Sequence, residues 1–160
     1  MSFIGIVSDS KCFDIIKEKI KENDKENQFN LIHINSKSID NIKNIRFEVL
    51  VVNCELEELK DYQSNLEKIY SNAKYLILNT DINKEEFEPN KHIQIITYGL
   101  NHKSTVTISS ISDTDILIYL QRNIKNISNS IIEVEEKRIK IKEKSKCKTY
   151  DDIIYYFYYL

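Results

Sequence analysis

Up to residue 98 the chain alternates short apolar β runs with amphipathic helical stretches, and at Gly99 the alternation stops. No other feature constrains the fold as much. The apolar runs are "FIGIV" at 3–7, "FNLIHI" at 29–34, "FEVLVVN" at 47–53, "KYLILN" at 74–79 and "HIQIITY" at 92–98. Between the first two, "CFDIIKEKIKEN" sets Phe13, Ile16 and Ile20 at helical spacing with charges between them. Residues 55–72 read as a second helix, with Leu56, Leu59, Tyr62, Leu66 and Ile69 on one face. Strands that are apolar throughout need cover on both faces. The pattern therefore predicts an α/β fold, an open and mostly parallel sheet with helices on both faces.

Beyond Gly99, "STVTISSI", "DILIYLQRNI" and "IIEVEEKRIKIK" are β-like runs joined by polar turns with no helix between them. They predict a small antiparallel β subsheet of about three strands, separate from the parallel sheet and running from Ser104 to about Lys142. The final "TYDDIIYYFYYL" reads as a helix capped by Thr149 with acidic residues in its first turn. Five aromatics in its last six residues make it apolar on nearly all sides. It is expected to offer that surface to a second copy, as a homodimer, or to another protein partner. The expected organisation is one domain over 1–160: a parallel α/β core at 1–99, an antiparallel β extension at 100–148 and a C-terminal helix at 149–160. The only proline, Pro89, falls in the loop between the fourth and fifth runs. Gly99, one of two glycines, is expected to form a turn between strands.

Ligands of open α/β sheets sit beyond the carboxyl ends of the strands. Those ends are 8–11, 53–55, 79–81 and 99–102, all polar, small or acidic. The candidate ligand-binding residues are Ser8, Asp9, Ser10, Lys11, Asn53, Glu55, Asn79 and Asp81. Exposure alone also makes such loops polar. No metal site is expected, because His33, His92 and His102 are scattered and Cys12, Cys54 and Cys147 are widely spaced. His33 reads as an ordinary strand histidine. Cys12 and Cys54 lie near strand ends where a helix N-terminus could activate a thiol, although a free cysteine is also a common inert core residue.

Charge narrows the partners. Lys and Arg number 23 against 25 Asp and Glu, a net of -2, with the lysines spread along the chain. That balance predicts no nucleic-acid partner. No apolar run approaches the roughly 20 residues of a membrane span. The start, "MSFIGIVSDS", has neither the basic region nor the long apolar core of a signal peptide. A soluble cytoplasmic protein is the expectation.

The stretch "KYLILNTDIN…HIQIITYGLNHKSTVTISSI" resembles the end of the ATP-binding central domain of the Mur ligase family. These are the amide-forming ligases of cell-wall peptide and folylpolyglutamate synthesis. In that family a strand ending in an Asn-x-Asp-Asp type motif is followed by a strand ending in Thr-Tyr/Phe-Gly, and then by a small antiparallel sheet. "FIGIVSDSKC" stands where the family has its phosphate loop, Ile-Gly-Ile-Thr-Gly-Thr-Asn-Gly-Lys-Thr. "FEVLVVNCELEEL" stands where a segment of the Asn-Ile/Leu-Gly-x-Asp/Glu-His-Leu-Asp type organises magnesium. "SNLEKIYSNAKYLILNTD" resembles the family's helix and following strand, and "TYDDIIYYFYYL" the helix that closes the domain. The resemblance implies a three-layer, P-loop or Rossmann-like sheet, with Gly99 at the handover to the subsheet. It also implies ATP and magnesium at an intact site, and contact between Asp81 and the nucleotide's sugar. Capping of the turn in "TDINKEEF" accounts equally for Asp81.

The departures carry more weight for function. A phosphate loop needs glycines so that successive N–H groups converge on the phosphates, together with a Lys and a Ser/Thr hydroxyl. "VSDSKCFD" has no glycine after Gly5, sets Lys11 one position off, and follows it with Cys12 and Phe13. Asp9 brings negative charge where phosphate would sit. The magnesium segment keeps Glu55 without the Gly and His. The middle of the family's central domain is shortened, and its two flanking domains have no counterpart in these residues. The expectation is a non-catalytic, Mur-ligase-like binding or scaffold protein linked to cell-wall, envelope or sporulation biology. It has no catalytic residue and no required cofactor, with ATP and magnesium binding at most a remnant. Two alternatives stand beside it. One is a degenerate receiver-like signalling domain with Asn53 at the phosphoacceptor position; the other is an ATP-dependent ligase component completed by a partner.

Overall fold

A computed structural model describes residues 2–23, 29–83, 92–126 and 129–140. Strand β1 (Ser2–Val7) leads into helix α1 (Ser10–Asn23), then β2 (Phe29–Ile34), a four-residue helix α2 (Ile39–Ile42) and β3 (Phe47–Val52). A 3-10 helix (Leu56–Tyr62) runs into α3 (Gln63–Ser71), followed by β4 (Ala73–Asn79) and β5 (Gln94–Gly99). The remaining strands are β6 (Val106–Ile111), β7 (Asp115–Leu120), β8 (Ile124–Lys125), β9 (Ile131–Ile132) and β10 (Glu135–Lys140). No helix among the described residues is long and apolar enough to cross a membrane.

Eight strands form one sheet in the order β2-β1-β3-β4-β5-β6-β7-β10. Every pairing from β2 to β6 is parallel, while β6–β7 and β7–β10 are antiparallel. The fold is thus α/β with a mostly parallel sheet, as the patterning predicts. The separateness of the antiparallel part is corrected. β6 pairs in parallel with β5 through Tyr98↔Val106 and Gly99↔Thr107, so β6, β7 and β10 extend the main sheet. The small separate antiparallel sheet is the β8–β9 ribbon alone. The reason is geometric: β5 leaves the nearest set of unpaired backbone groups at the sheet's edge, and β6 pairs with its end in parallel.

Alternating side chains divide the interior into two layers. Ile4, Ile6, Val49, Val51, Tyr75 and Ile77 pack with Cys12, Ile16 and Ile20 of α1 on one face. Leu50, Val52, Leu76 and Leu78 pack on the other with Ile39 and Ile42 of α2, Leu59 of the 3-10 helix, and Leu66 and Ile69 of α3. The β8–β9 ribbon joins the α1 layer through Ile124 and Ile132, and Tyr75 OH donates to the Asn126 carbonyl at 2.7 Å. A Cβ on Gly5 would lie 2.8 Å from both Ile34 Cδ1 and Leu50 Cδ1. Its missing side chain is therefore space that the second layer uses.

The helix expected over 55–72 is two elements. Leu59 takes non-helical angles, φ -113° and ψ 16°, a kink inside the 3-10 segment that precedes α3. The spacing explains it after the fact. Leu56, Leu59 and Tyr62 recur every three residues, the 3-10 period, whereas Tyr62, Leu66 and Ile69 follow the α period. The expected C-terminal helix, Pro89 and Cys147 lie outside the described residues.

Candidate functional site

The carboxyl ends of β1, β3, β4 and β5 meet at the side chain of Asn53. Its Oδ1 accepts from Asn79 Nδ2 at 2.9 Å and from Tyr98 OH at 2.8 Å, and its Nδ2 donates to Cys12 Sγ at 3.2 Å. Its backbone N–H donates to the Val7 carbonyl at 2.9 Å. Through its side chain and its backbone N–H, this one residue ties together four strands and the first turn of α1. Asn79 and Tyr98 are both fully buried, so each polar end must be satisfied inside the protein. Asn79 Oδ1 accepts in turn from the Asp81 N–H at 3.0 Å.

A second set of bonds closes the rim. Asp81 Oδ2 accepts from the Leu100 N–H at 2.6 Å. A Cβ at position 99 would lie 2.7 Å from Asp81 Oδ1 and 2.8 Å from its Cγ. Gly99 ends β5 at φ +158°, paired with Thr107 and directly before the turn residues that lead to β6, and it leaves the volume that the Asp81 carboxylate occupies. Asn83 donates through Nδ2 to the Cys54 carbonyl at 3.0 Å and accepts at Oδ1 from the Leu56 N–H at 3.1 Å, which joins the β4 end to the 3-10 helix. Thr80 donates from its backbone N–H to the Tyr98 carbonyl at 2.9 Å, and its hydroxyl lies 2.7 Å from Ser104 Oγ.

The β1 end differs from an anion cradle in one decisive contact. Asp9 Oδ1 accepts from the Cys12 N–H at 2.8 Å, with Asp9 at the cap and Cys12 three residues into the helix. A capping carboxylate satisfies an orphan N–H and sits at the positive end of the helix dipole. The place where α1 could receive a phosphate holds the protein's own negative charge. Ser10 and Lys11 are exposed in this first turn, and Ser8 is buried with its hydroxyl on the Asp9 carbonyl at 3.0 Å. Glu55 is exposed just before the 3-10 helix and makes no side-chain cap there. Of the eight candidates, Asn53, Asn79 and Asp81 join one network, Ser8 and Asp9 shape the α1 entry, and Ser10, Lys11 and Glu55 stand outside both.

His33 does more than the sequence suggests. Its ring stacks on Phe13 with centroids 4.5 Å apart, and its Nε2 lies 2.8 Å from the Ser8 carbonyl. Its Nδ1 faces Asn35 Nδ2 at 3.2 Å. Asn35 Oδ1 is already held by the Lys37 and Ser38 N–H groups, so its amide nitrogen must point at the ring. Nδ1 then accepts and Nε2–H donates to Ser8. That bond anchors the turn into α1 from the neighbouring strand.

The thiols are poorly disposed for chemistry. Burial, then the charges of Glu58, Asp9 and Glu55, push the Cys54 thiol up to about 11, so it stays protonated at neutral pH. Cys12 is buried and accepts from Asn53. Among the described residues no group of three or more His, Cys, Asp or Glu is placed to hold a metal ion. Tyr98, Asn83 and Ser104 in the rim network, and His33 at the α1 entry, are not among the candidates that the sequence offers. The i, i+4 pair Asn79 and Asn83 was the available sign, since short amide side chains at strand ends commonly bond backbone. No protein-family model matches this chain, and no curated protein matches it.

Proposed function

We propose that the protein is a non-catalytic binding or scaffold module, of the kind that a Mur-ligase-like central domain would become without its phosphate loop. The single observation that carries the reading is the Asp9 carboxylate seated on the N-terminus of α1. An incoming phosphate there meets like charge and must displace a hydrogen bond already made. The Asn53 network supports the same reading, because its amides, phenol and thiol are committed to one another. The finer architecture, a three-layer P-loop or Rossmann-like sheet, belongs to this proposal and is supported by α1 on one face and α2 and α3 on the other. Cell-envelope or sporulation work, inside the cytoplasm, is the setting that the resemblance suggests.

A thermal-shift screen against nucleotides and cell-wall precursors tests it, since a ligand of the folded state raises the melting temperature with occupancy. A shift from a precursor or a protein fragment, without turnover, is the expected result. Turnover of any nucleotide would sink the reading.

A second reading, a degenerate receiver-like signalling domain, is favoured by the strand order 2-1-3-4-5 of the first five strands. In that order the ligand crevice lies where the chain reverses direction across the sheet, between β1 and β3. Asp9 and Asn53 flank that point. An Asn53→Asp variant that takes up label from a small phosphoryl donor would favour this reading; no uptake leaves the first.

A further inference from the structure

The two outer strands finish the main sheet in opposite ways. β10, "EEKRIK", carries five charges in six residues, and Glu135, Glu136, Lys137, Arg138 and Lys140 are exposed. Charges on an edge deter another strand from adding. β2, "FNLIHI", has no charge, no proline and no glycine, and it pairs with β1 in unbroken register from Ser2↔Phe29 to Val7↔Ile34. Among the described residues nothing pairs with its other side. Both core layers also stop short at this strand. Leu31 packs with Phe13 against the α1 layer and Ile32 against the opposite layer, each only half-buried.

We infer that β2 is a dimerisation edge: the β2 of a second copy adds to it antiparallel, about a two-fold axis, and joins two eight-stranded sheets into one. Main-chain N–H and C=O groups without a ladder partner recruit another strand through main-chain bonds, and the flanking side chains set the choice of strand. Within β2 the His33 carbonyl already accepts from Ser38 Oγ at 3.0 Å, so the new ladder rests on the residues before it. Head-to-tail addition of β10 is disfavoured, because it would strip water from five charges against a strand that carries none. Antiparallel self-pairing has no such cost. It brings Leu31 and Ile32 close to their own counterparts, completes both layers together, and closes the assembly as a two-fold dimer instead of a filament. Ile32 lies at or beside the axis in any such pairing centred on the strand.

Sedimentation of the full chain at about 20 μM, suited to a modest interface, tests the inference with Ile32→Lys and Ile32→Glu, separately and mixed. The wild type should be a dimer. Each variant should weaken association at least about tenfold, because like charges then face each other across the axis. An equimolar mixture should restore the dimer by placing Lys opposite Glu. A monomeric wild type, variants that remain dimeric, or a mixture of folded variants that stays monomeric would each overturn it. Hydrogen exchange supplies a reading that needs no variant. Protection of the β2 amides should rise with protein concentration, and concentration-independent protection would likewise overturn the inference.

Discussion

The parallel and antiparallel halves of one sheet solve burial differently. In β3 and β4 nearly every side chain is buried, on both faces. In β7 only Ile116, Ile118 and Leu120 are buried, and Tyr119 between them is 38% exposed. The residues opposite Tyr119 and Leu117 on β10 are Glu136 and Arg138, which makes that face of the antiparallel half polar. Parallel strands are joined by crossovers that lay helices on the sheet, so both faces must be apolar. Antiparallel strands turn back directly and can leave one face to water. The same hydrogen-bonded sheet therefore carries a two-sided core at one end and a one-sided core at the other.

The largest expected effect tests that contrast directly. Leu50→Ala, in the fully buried second layer, should cost about 2–5 kcal/mol in urea unfolding, whereas Tyr119→Ala should cost less than about 1 kcal/mol. Equal losses would mean that the antiparallel face is covered after all. Next comes the seam between the halves. Gly99→Ala should cost on the order of 1–3 kcal/mol, because position 99 has φ +158°, which a side chain rarely allows, and the new methyl must also displace the Asp81 carboxylate from the Leu100 N–H. The cost should fall in part in an Asp81→Gly background, where the volume is free and only the backbone strain remains, and a double-mutant cycle reads that coupling. Additive losses would show that the carboxylate is not the reason for the glycine.

Alkaline sensitivity should reside in the parallel half. Burial pushes the folded Cys54 thiol up to about 11 from its ordinary 9.0. Below pH 9 both folded and unfolded thiols are protonated, and the folded state keeps its full advantage. Between pH 9 and 11 the unfolded thiol loses its proton first, so stability falls, by on the order of 1–2 kcal/mol after allowance for partial exposure. Cys54→Ala should flatten that part of the stability curve, and an unchanged slope would assign the loss elsewhere. Smallest is the helix cap: Asp9→Ala should lower stability by about 1 kcal/mol, a drop that Asp9→Asn should largely recover.

Periodicity made the five parallel strands legible, because a continuous apolar run leaves few alternatives. It could not assign neighbours. "STVTISSI" has the alternation of a half-buried strand whether it pairs with β5 or forms a sheet of its own, and only backbone pairing at Tyr98↔Val106 decides. α2 escaped notice because four residues, "IDNI", are too few to show a period. The rim was visible as a set of polar strand ends, yet its organisation was not. Asn53 is central because Tyr98 OH and Asn79 Nδ2 converge on it from strands 19 residues apart in sequence, counting Asn79 to Tyr98. Gly99 drew attention as a rare glycine, and its φ of +158° is one reason for it; the other lies in Asp81, which no local pattern connects to it.

The central claim is that the α1 entry is filled by the protein's own carboxylate and does no phosphate chemistry. The most direct measurement is ADP release from ATP with magnesium by purified wild type beside Lys11→Ala. Background rates are expected for both, with no difference between them. Magnesium-dependent ADP release by the wild type, abolished in Lys11→Ala, would contradict it.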